Sequence, residues 1–199
     1  MSGYIYIWLL WILWCVVTFY MDKSYTRTIY GLTILTLITT SPYQLIVFEI
    51  PINISTLFLL GLSIVLLVYY RFPIKQYVYI FFICYLFVIY FLWKLTSPIV
   101  SEALFYFFGV LIGYLVLKLA SKSFAKQVVI WSIGMSLGQI LYNAICSSYY
   151  LLYGINSDRF FLLYTLVLIL LVLHYVWRLF LIRVENLVKW VEVKKKWIH

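Results

Sequence analysis

The chain has 199 residues, of which 66% are hydrophobic and 11% are charged, and its formal net charge is +9. Ordinary soluble domains carry about a quarter charged residues, so this composition excludes a water-soluble globular protein. The three cysteines, Cys15, Cys84 and Cys146, lack metal-ligand spacing, so we expect neither a metal nor another cofactor.

Seven apolar runs follow one another along the chain. Each is close in length to the about 20 residues that a helix needs to cross a bilayer. Lipid offers no partner to backbone N–H and C=O groups, and the runs lack the alternation of a barrel strand, so each run is predicted to be helical. We therefore predict an all-α integral membrane protein with a bundle of seven transmembrane helices. The predicted spans are Tyr4–Met21, Ile29–Phe48, Ile54–Tyr70, Tyr77–Trp93, Ala103–Leu117, Val128–Tyr153 and Phe160–Ile182.

The basic residues predict the orientation of this bundle. With seven spans and the N-terminus outside, 13 of the 15 lysines and arginines lie inside, and only Lys94 and Arg159 lie outside. The positive-inside rule favours this arrangement. We therefore predict a cell-membrane protein with an extracellular N-terminus and a cytoplasmic C-terminus. Because the positive charge serves topology, we expect no nucleic-acid partner.

The second span is the weakest of the seven. Pro42 and the polar run of residues 39–41 can kink or break its helix. If this span does not cross the membrane, six spans remain and both termini lie inside. The basic residues then divide 11 to 4, a poorer but acceptable fit to the positive-inside rule. Six spans remain the alternative.

Polar residues recur at helical spacing along the sixth span. Gln139 and Asn143 lie near its midplane, where an unpaired amide is costly, so they are expected to face the bundle. Two interpretations stay open: hydrogen bonds that join helices, and a polar cavity or substrate site. A thinner threonine stripe on the second span either pairs with this stripe or bonds its own helix backbone. The sixth-span stripe comprises Ser132, Ser136, Gln139, Asn143, Cys146, Ser147 and Tyr150.

Two ionisable residues lie one turn apart near the inner end of the last span, His174 and Arg178. An ionisable residue inside a membrane is a functional candidate by default. Arg178 can extend to the headgroups, whereas His174 either packs as a neutral ring or has a proton-linked role. Together with Ser136, Gln139 and Asn143 they form the candidate intramembrane polar site.

Small residues recur at four-residue spacing in two spans, as Gly109 and Gly113 in the fifth and Gly134 and Gly138 in the sixth. This spacing lets a neighbouring helix approach closely. The neighbour is either another helix of the same chain or a helix of a second copy.

The last residues, 184–199, are predicted to form a basic amphipathic helix separate from the transmembrane bundle of residues 1–183. Val184, Leu187, Val188 and Val191 follow helical spacing on one face. Such a helix suits docking on anionic lipid headgroups or on a membrane-protein partner. The candidate docking residues are Lys189, Trp190, Lys194, Lys195 and Lys196.

Residue patterns of known catalytic sites are missing from the sequence. No span carries a central Asp or Glu, and there is no metal-binding His/Glu cluster, nucleophile turn or phosphate loop. We therefore predict no catalytic residues and no enzymatic activity. The favoured hypothesis is a scaffold or accessory subunit, and the alternative is a small-molecule binding or transporter subunit.

The opening stretch offers one resemblance. It contains three tryptophans, then Thr18-Phe19-Tyr20-Met21 and a short basic loop at residues 23–27; the tryptophans are Trp8, Trp11 and Trp14. This pattern resembles the YphA family of small polytopic membrane proteins of spore-forming Firmicutes. In architecture the resemblance covers the whole chain. It implies a plasma-membrane protein connected with sporulation or envelope assembly, with no catalytic residues to carry over.

Overall fold

The computed structural model describes residues 5–47, 50–97, 100–149 and 157–196. These residues form seven helices and one two-stranded antiparallel hairpin. The predicted span ends Tyr4, Phe48 and Tyr153 lie outside the described residues. In chain order the elements are α1 Ile5–Tyr20, α2 Tyr25–Thr40, β1 Gln44–Val47, β2 Ile50–Asn53, α3 Ile54–Tyr69, α4 Ile74–Thr96, α5 Glu102–Ala120, α6 Phe124–Ser148 and α7 Ser157–Lys196.

Four of the helices are long and apolar enough to cross a membrane: α4, α5, α6 and the stretch Asp158–Asn186 of α7. Two shorter apolar helices, Ile5–Phe19 and Ile54–Tyr69, lie within α1 and α3. The protein is therefore mainly α-helical with several membrane-crossing helices, in agreement with the predicted class. Seven crossings and the orientation stay predictions.

The prediction of a continuous second span was wrong beyond Thr40, where α2 ends. Pro42 has no N–H to continue the helix, and the Ser41 N–H closes the last turn on the Leu37 carbonyl at 3.1 Å. The chain then forms the hairpin, with Gln44 opposite Asn53 and Val47 opposite Ile50. The apolar residues of β1 resemble a membrane span in hydropathy, and no strand was predicted here.

The predicted boundary at residue 184 is not an end of a helix, because α7 continues through it for a total of 40 residues. At 1.5 Å per residue α7 is about 60 Å long. This length is twice the thickness of the hydrocarbon core of a bilayer, which is about 30 Å. No Gly or Pro interrupts it. Residues 197–199 and the side chains of residues 191–196 lie outside the described part, and a separate role for the segment stays a prediction.

Helix α6 is the centre of the bundle, with α4 against one face and α3 against another. A Cβ atom at Gly134 would lie 2.7 Å from Cγ2 of Ile83, and a Cβ at Gly138 would lie 2.8 Å from Cδ1 of Phe87. Gly109 and Gly113 of α5 likewise face side chains of α4, α6 and α7. Both glycine pairs therefore serve close packing within one chain.

The contacts define two ends of the bundle. At the hairpin end, Asn143 near the end of α6 contacts the hairpin, and Arg159 at the start of α7 pairs with Glu102 at the start of α5. At the basic end, Lys126 at the start of α6 lies over the ring of Phe72, which follows α3. Helix α7 runs from the hairpin end to the basic end and continues to Lys196.

Candidate functional site

Most of the polar stripe of α6 is buried, whereas Tyr150 lies outside the described residues. The buried members are Ser132, Ser136, Gln139, Asn143 and Cys146. The Thr56 hydroxyl of α3 donates to Gln139 Oε1 at 2.5 Å, and both residues are buried. Ser132 Oγ lies 2.8 Å from the Tyr164 hydroxyl of α7. These contacts support the interpretation in which the stripe joins helices.

Asn143 ties α6 to the hairpin. Its Nδ2 donates to the Pro51 carbonyl of β2 at 2.7 Å, and only 5% of the residue is exposed. Pro51 itself is exposed. A buried amide of α6 thus holds the hairpin through a backbone carbonyl of β2.

Asn53 is a second buried amide that joins three elements. Its Oδ1 accepts the Ser55 N–H at 2.8 Å and caps the start of α3. Its Nδ2 donates to the Ser41 carbonyl just after α2 at 2.7 Å. The sequence interpretation missed Asn53 and Thr56, although an Asn directly before an apolar helical run is a common N-cap signal.

The threonine stripe of α2 mostly bonds its own backbone. The hydroxyls of Thr33 and Thr36 each donate to the carbonyl four residues earlier, at 2.8 Å. Thr40 does the same and also lies 2.8 Å from Ser55 Oγ of α3. Among the described contacts, α3 rather than α2 supplies the partner of Gln139, which favours the self-bonding interpretation.

A cavity of about 20 Å³ lies between α4, α5, α6 and α7, roughly the space of one water molecule. Its lining is apolar and aromatic, and includes Gly113, Trp131 and Met135. Neither Gln139 nor Asn143 lines it. The cavity and the polar stripe are therefore separate features.

The five residues of the predicted polar site form two groups. Ser136, Gln139 and Asn143 are buried in α6, whereas His174 and Arg178 are exposed on α7. His174 Nδ1 lies 3.1 Å from the Tyr114 hydroxyl of α5. The structure therefore does not bring the five residues together, because His174 contacts α5 and not the α6 stripe; a functional role for either group stays a prediction.

The predicted docking residues lie on the distal part of α7. The side chains of Lys189 and Trp190 are exposed, whereas those of residues 194–196 lie outside the described part. In the part of the chain that the structure describes, no three His, Cys, Asp or Glu side chains form a group that could hold a metal ion.

Comparisons with known proteins identify the family. The comparison with curated proteins and the comparison with solved structures each gave no match. A family model described as YphA-like integral membrane protein matches residues 2–197. This match covers nearly the whole chain and agrees with its membrane-crossing helices. The chain therefore belongs to the family of YphA-like integral membrane proteins.

Proposed function

We propose that this protein is a non-enzymatic scaffold or accessory subunit of the cell membrane, with a role in sporulation or envelope assembly. In this proposal seven helices cross the membrane, the N-terminus is extracellular and the basic end is cytoplasmic. The observation that carries the proposal is the length of α7, which extends beyond the basic end with apolar side chains exposed.

The position of α7 relative to α5 shows where this extension begins. Helix α5 ends at Ala120, two residues after Lys118. The Tyr114 hydroxyl of α5 contacts His174 of α7, and Lys118 and Arg178 each lie four residues further along their helices, so Arg178 is about level with the end of α5. From Arg178 to Lys196, α7 continues for about 27 Å at 1.5 Å per residue.

Apolar side chains are exposed on this extension. Val184, near the end of the candidate membrane span Asp158–Asn186, is 39% exposed, and Trp190, beyond that span, is 60% exposed. Apolar surface in water costs roughly 25 cal/mol per Å², so a helix of this kind gains stability by binding a groove or a second helix. A partner at the basic end supplies that contact.

The interior of the bundle supports a structural role. Side chains of the same chain pack against the glycine pairs, and Gln139 Oε1 and Asn143 Nδ2 each have a protein partner. The space of about one water among apolar residues leaves little room for a substrate.

A pull-down tests the proposal with a matched pair of variants. The full chain, purified from its own membranes in a mild detergent, is expected to retain a membrane-protein partner that a chain ending at Arg183 loses. Val184→Glu should reduce recovery of that partner more than tenfold, since burying an unpaired carboxylate costs more than about 1.4 kcal/mol. Asn186→Glu makes the same charge change two residues along, on another face of α7.

Recovery by Asn186→Glu should match that of the unaltered chain, as measured by quantitative mass spectrometry. Equal recovery by the unaltered chain, the truncated chain and Val184→Glu would contradict a contact through α7.

The second candidate function, a small-molecule binding or transporter subunit, is favoured by two buried atoms. Ser136 Oγ and Asn143 Oδ1 have no hydrogen-bond partner within the described part of the chain, and an unpaired buried polar atom is costly. If a ligand satisfies them, native mass spectrometry of the purified protein should show a bound small molecule that Gln139→Leu/Asn143→Leu lacks. Ser148→Ala, at the exposed end of α6, should keep it. The same bound mass in both variants contradicts this function.

A further inference from the structure

Two basic residues, Lys118 of α5 and Arg178 of α7, lie along the seam between these helices, at the basic end of the bundle. Each follows, by four residues, one member of the Tyr114–His174 contact that joins the two helices. Within the described residues the only ion pair joins Arg159 and Glu102, at the hairpin end. Among the described residues, Lys118 and Arg178 are thus positive groups with no carboxylate paired to them.

The side chains at the seam are held in place by their neighbours. The Tyr114 hydroxyl lies 3.1 Å from Nδ1 of His174, and Nζ of Lys118 lies 5.4 Å from the centre of the Tyr114 ring. Tyr175, beside His174, stacks on Phe124 of α6 at 4.9 Å. The rings restrict the positions of Lys118 and His174, so a ligand finds these two side chains partly preorganised.

Exposed apolar side chains flank the charges on both helices. Leu115 and Leu119 of α5 are 52% and 76% exposed, and Trp177 of α7 is 60% exposed. Leu115 and Lys118 both belong to a helix that is long and apolar enough to cross a membrane. A ligand at the seam therefore meets positive charge at one end and hydrocarbon-like surface beside it.

We propose that this seam, formed by Tyr114, Lys118, His174 and Arg178, is a binding site for the headgroup phosphate of an anionic phospholipid. Lys118 and Arg178 donate to the phosphate oxygens, and the acyl chains lie along the exposed apolar side chains. Basic pockets between membrane helices bind lipid headgroups in this way. The apolar flanks favour a lipid over free phosphate. This inference goes beyond the proposed function, because it does not depend on a protein partner.

Native mass spectrometry in a mild detergent tests the site with dioleoyl phosphatidylglycerol and dioleoyl phosphatidylcholine as probes. The unaltered protein should retain phosphatidylglycerol in preference. Lys118→Gln/Arg178→Gln should weaken that binding about 30-fold, which is the loss expected for two basic contacts near a membrane surface. Lys118→Arg/Arg178→Lys, which keeps both charges, should retain most of the affinity.

A variant with the same loss of charge provides the control. Lys75 and Arg183 are exposed basic residues outside the seam, so Lys75→Gln/Arg183→Gln should bind phosphatidylglycerol nearly as well as the unaltered protein. If both charge-removing variants weaken phosphatidylglycerol binding equally, the loss reflects net charge alone, and the proposed binding site at the seam is overturned. Complete displacement of the lipid by excess inorganic phosphate would overturn the choice of a lipid. Thermal unfolding in zwitterionic detergent shows whether each variant is folded.

Discussion

Asn53→Ala is expected to lower the free energy of unfolding by about 2–4 kcal/mol, the largest effect that we predict for a single substitution. The change removes the cap of α3, which is the bond from the Ser55 N–H to Oδ1. It also leaves the Ser41 carbonyl without the Nδ2 donor that contacts it at 2.7 Å. Both Asn53 and Ser41 are buried, so water does not replace the lost donor. Denaturant titration in mixed micelles, followed by tryptophan fluorescence, measures the loss.

The control for this prediction is Ser101→Ala, which removes the cap of α5. Ser101 Oγ accepts the Leu104 N–H at 3.4 Å, and Ser101 is exposed. Water replaces this bond, so the expected loss is below about 1 kcal/mol. If both variants lose the same stability, the burial of Asn53 has no role and the explanation fails.

Gly134→Ala is expected to destabilise the bundle by about 1–3 kcal/mol, because the added methyl group forces α4 and α6 apart. The new Cβ would lie 2.7 Å and 2.8 Å from Cγ2 and Cβ of Ile83, and 3.1 Å from the Ile80 carbonyl oxygen. A backbone oxygen and a branched Cβ cannot move away as the tip of a flexible side chain can. The same micelle titration, with the thermal midpoint as a second measurement, reports the change.

Gly61→Ala makes the identical chemical change in α3 and serves as the control. A Cβ at Gly61 has nothing within 4 Å, and Ala favours a helix over Gly by about 1 kcal/mol. Gly61→Ala should therefore be neutral or stabilising. A stable Gly134→Ala protein would show that α4 and α6 are not packed as closely as these contacts require.

The sequence predicted the helical membrane class because apolar length alone decides it, and it predicted the buried stripe of α6 because polar side chains avoid lipid. It did not predict the partner of Gln139. Thr56 is a common residue near a helix start, and only the packed structure shows that its hydroxyl faces Gln139. Periodicity gives the face of each helix but not the neighbour that the face contacts.

Two boundaries were harder to predict for different reasons. The end of α2 had a sequence signal in Pro42, but the apolar β-branched residues Ile46 and Val47 resemble a span in hydropathy. In α7, by contrast, no residue signals the end of a helix near residue 184. Residues 184–196 include Glu, Leu and Lys, which are good helix formers, and contain no Gly or Pro. The positive charge around Arg183 predicts a membrane surface there, but it does not mark the end of a helix, since α7 continues to Lys196.

Helix α7 is one continuous helix that connects the two ends of the bundle. Arg159, near its first turn, is paired with Glu102, while Trp190 lies on the extension beyond the basic end. With no Gly or Pro as a hinge, α7 transmits a displacement of its part at the basic end to the Arg159–Glu102 pair at the hairpin end.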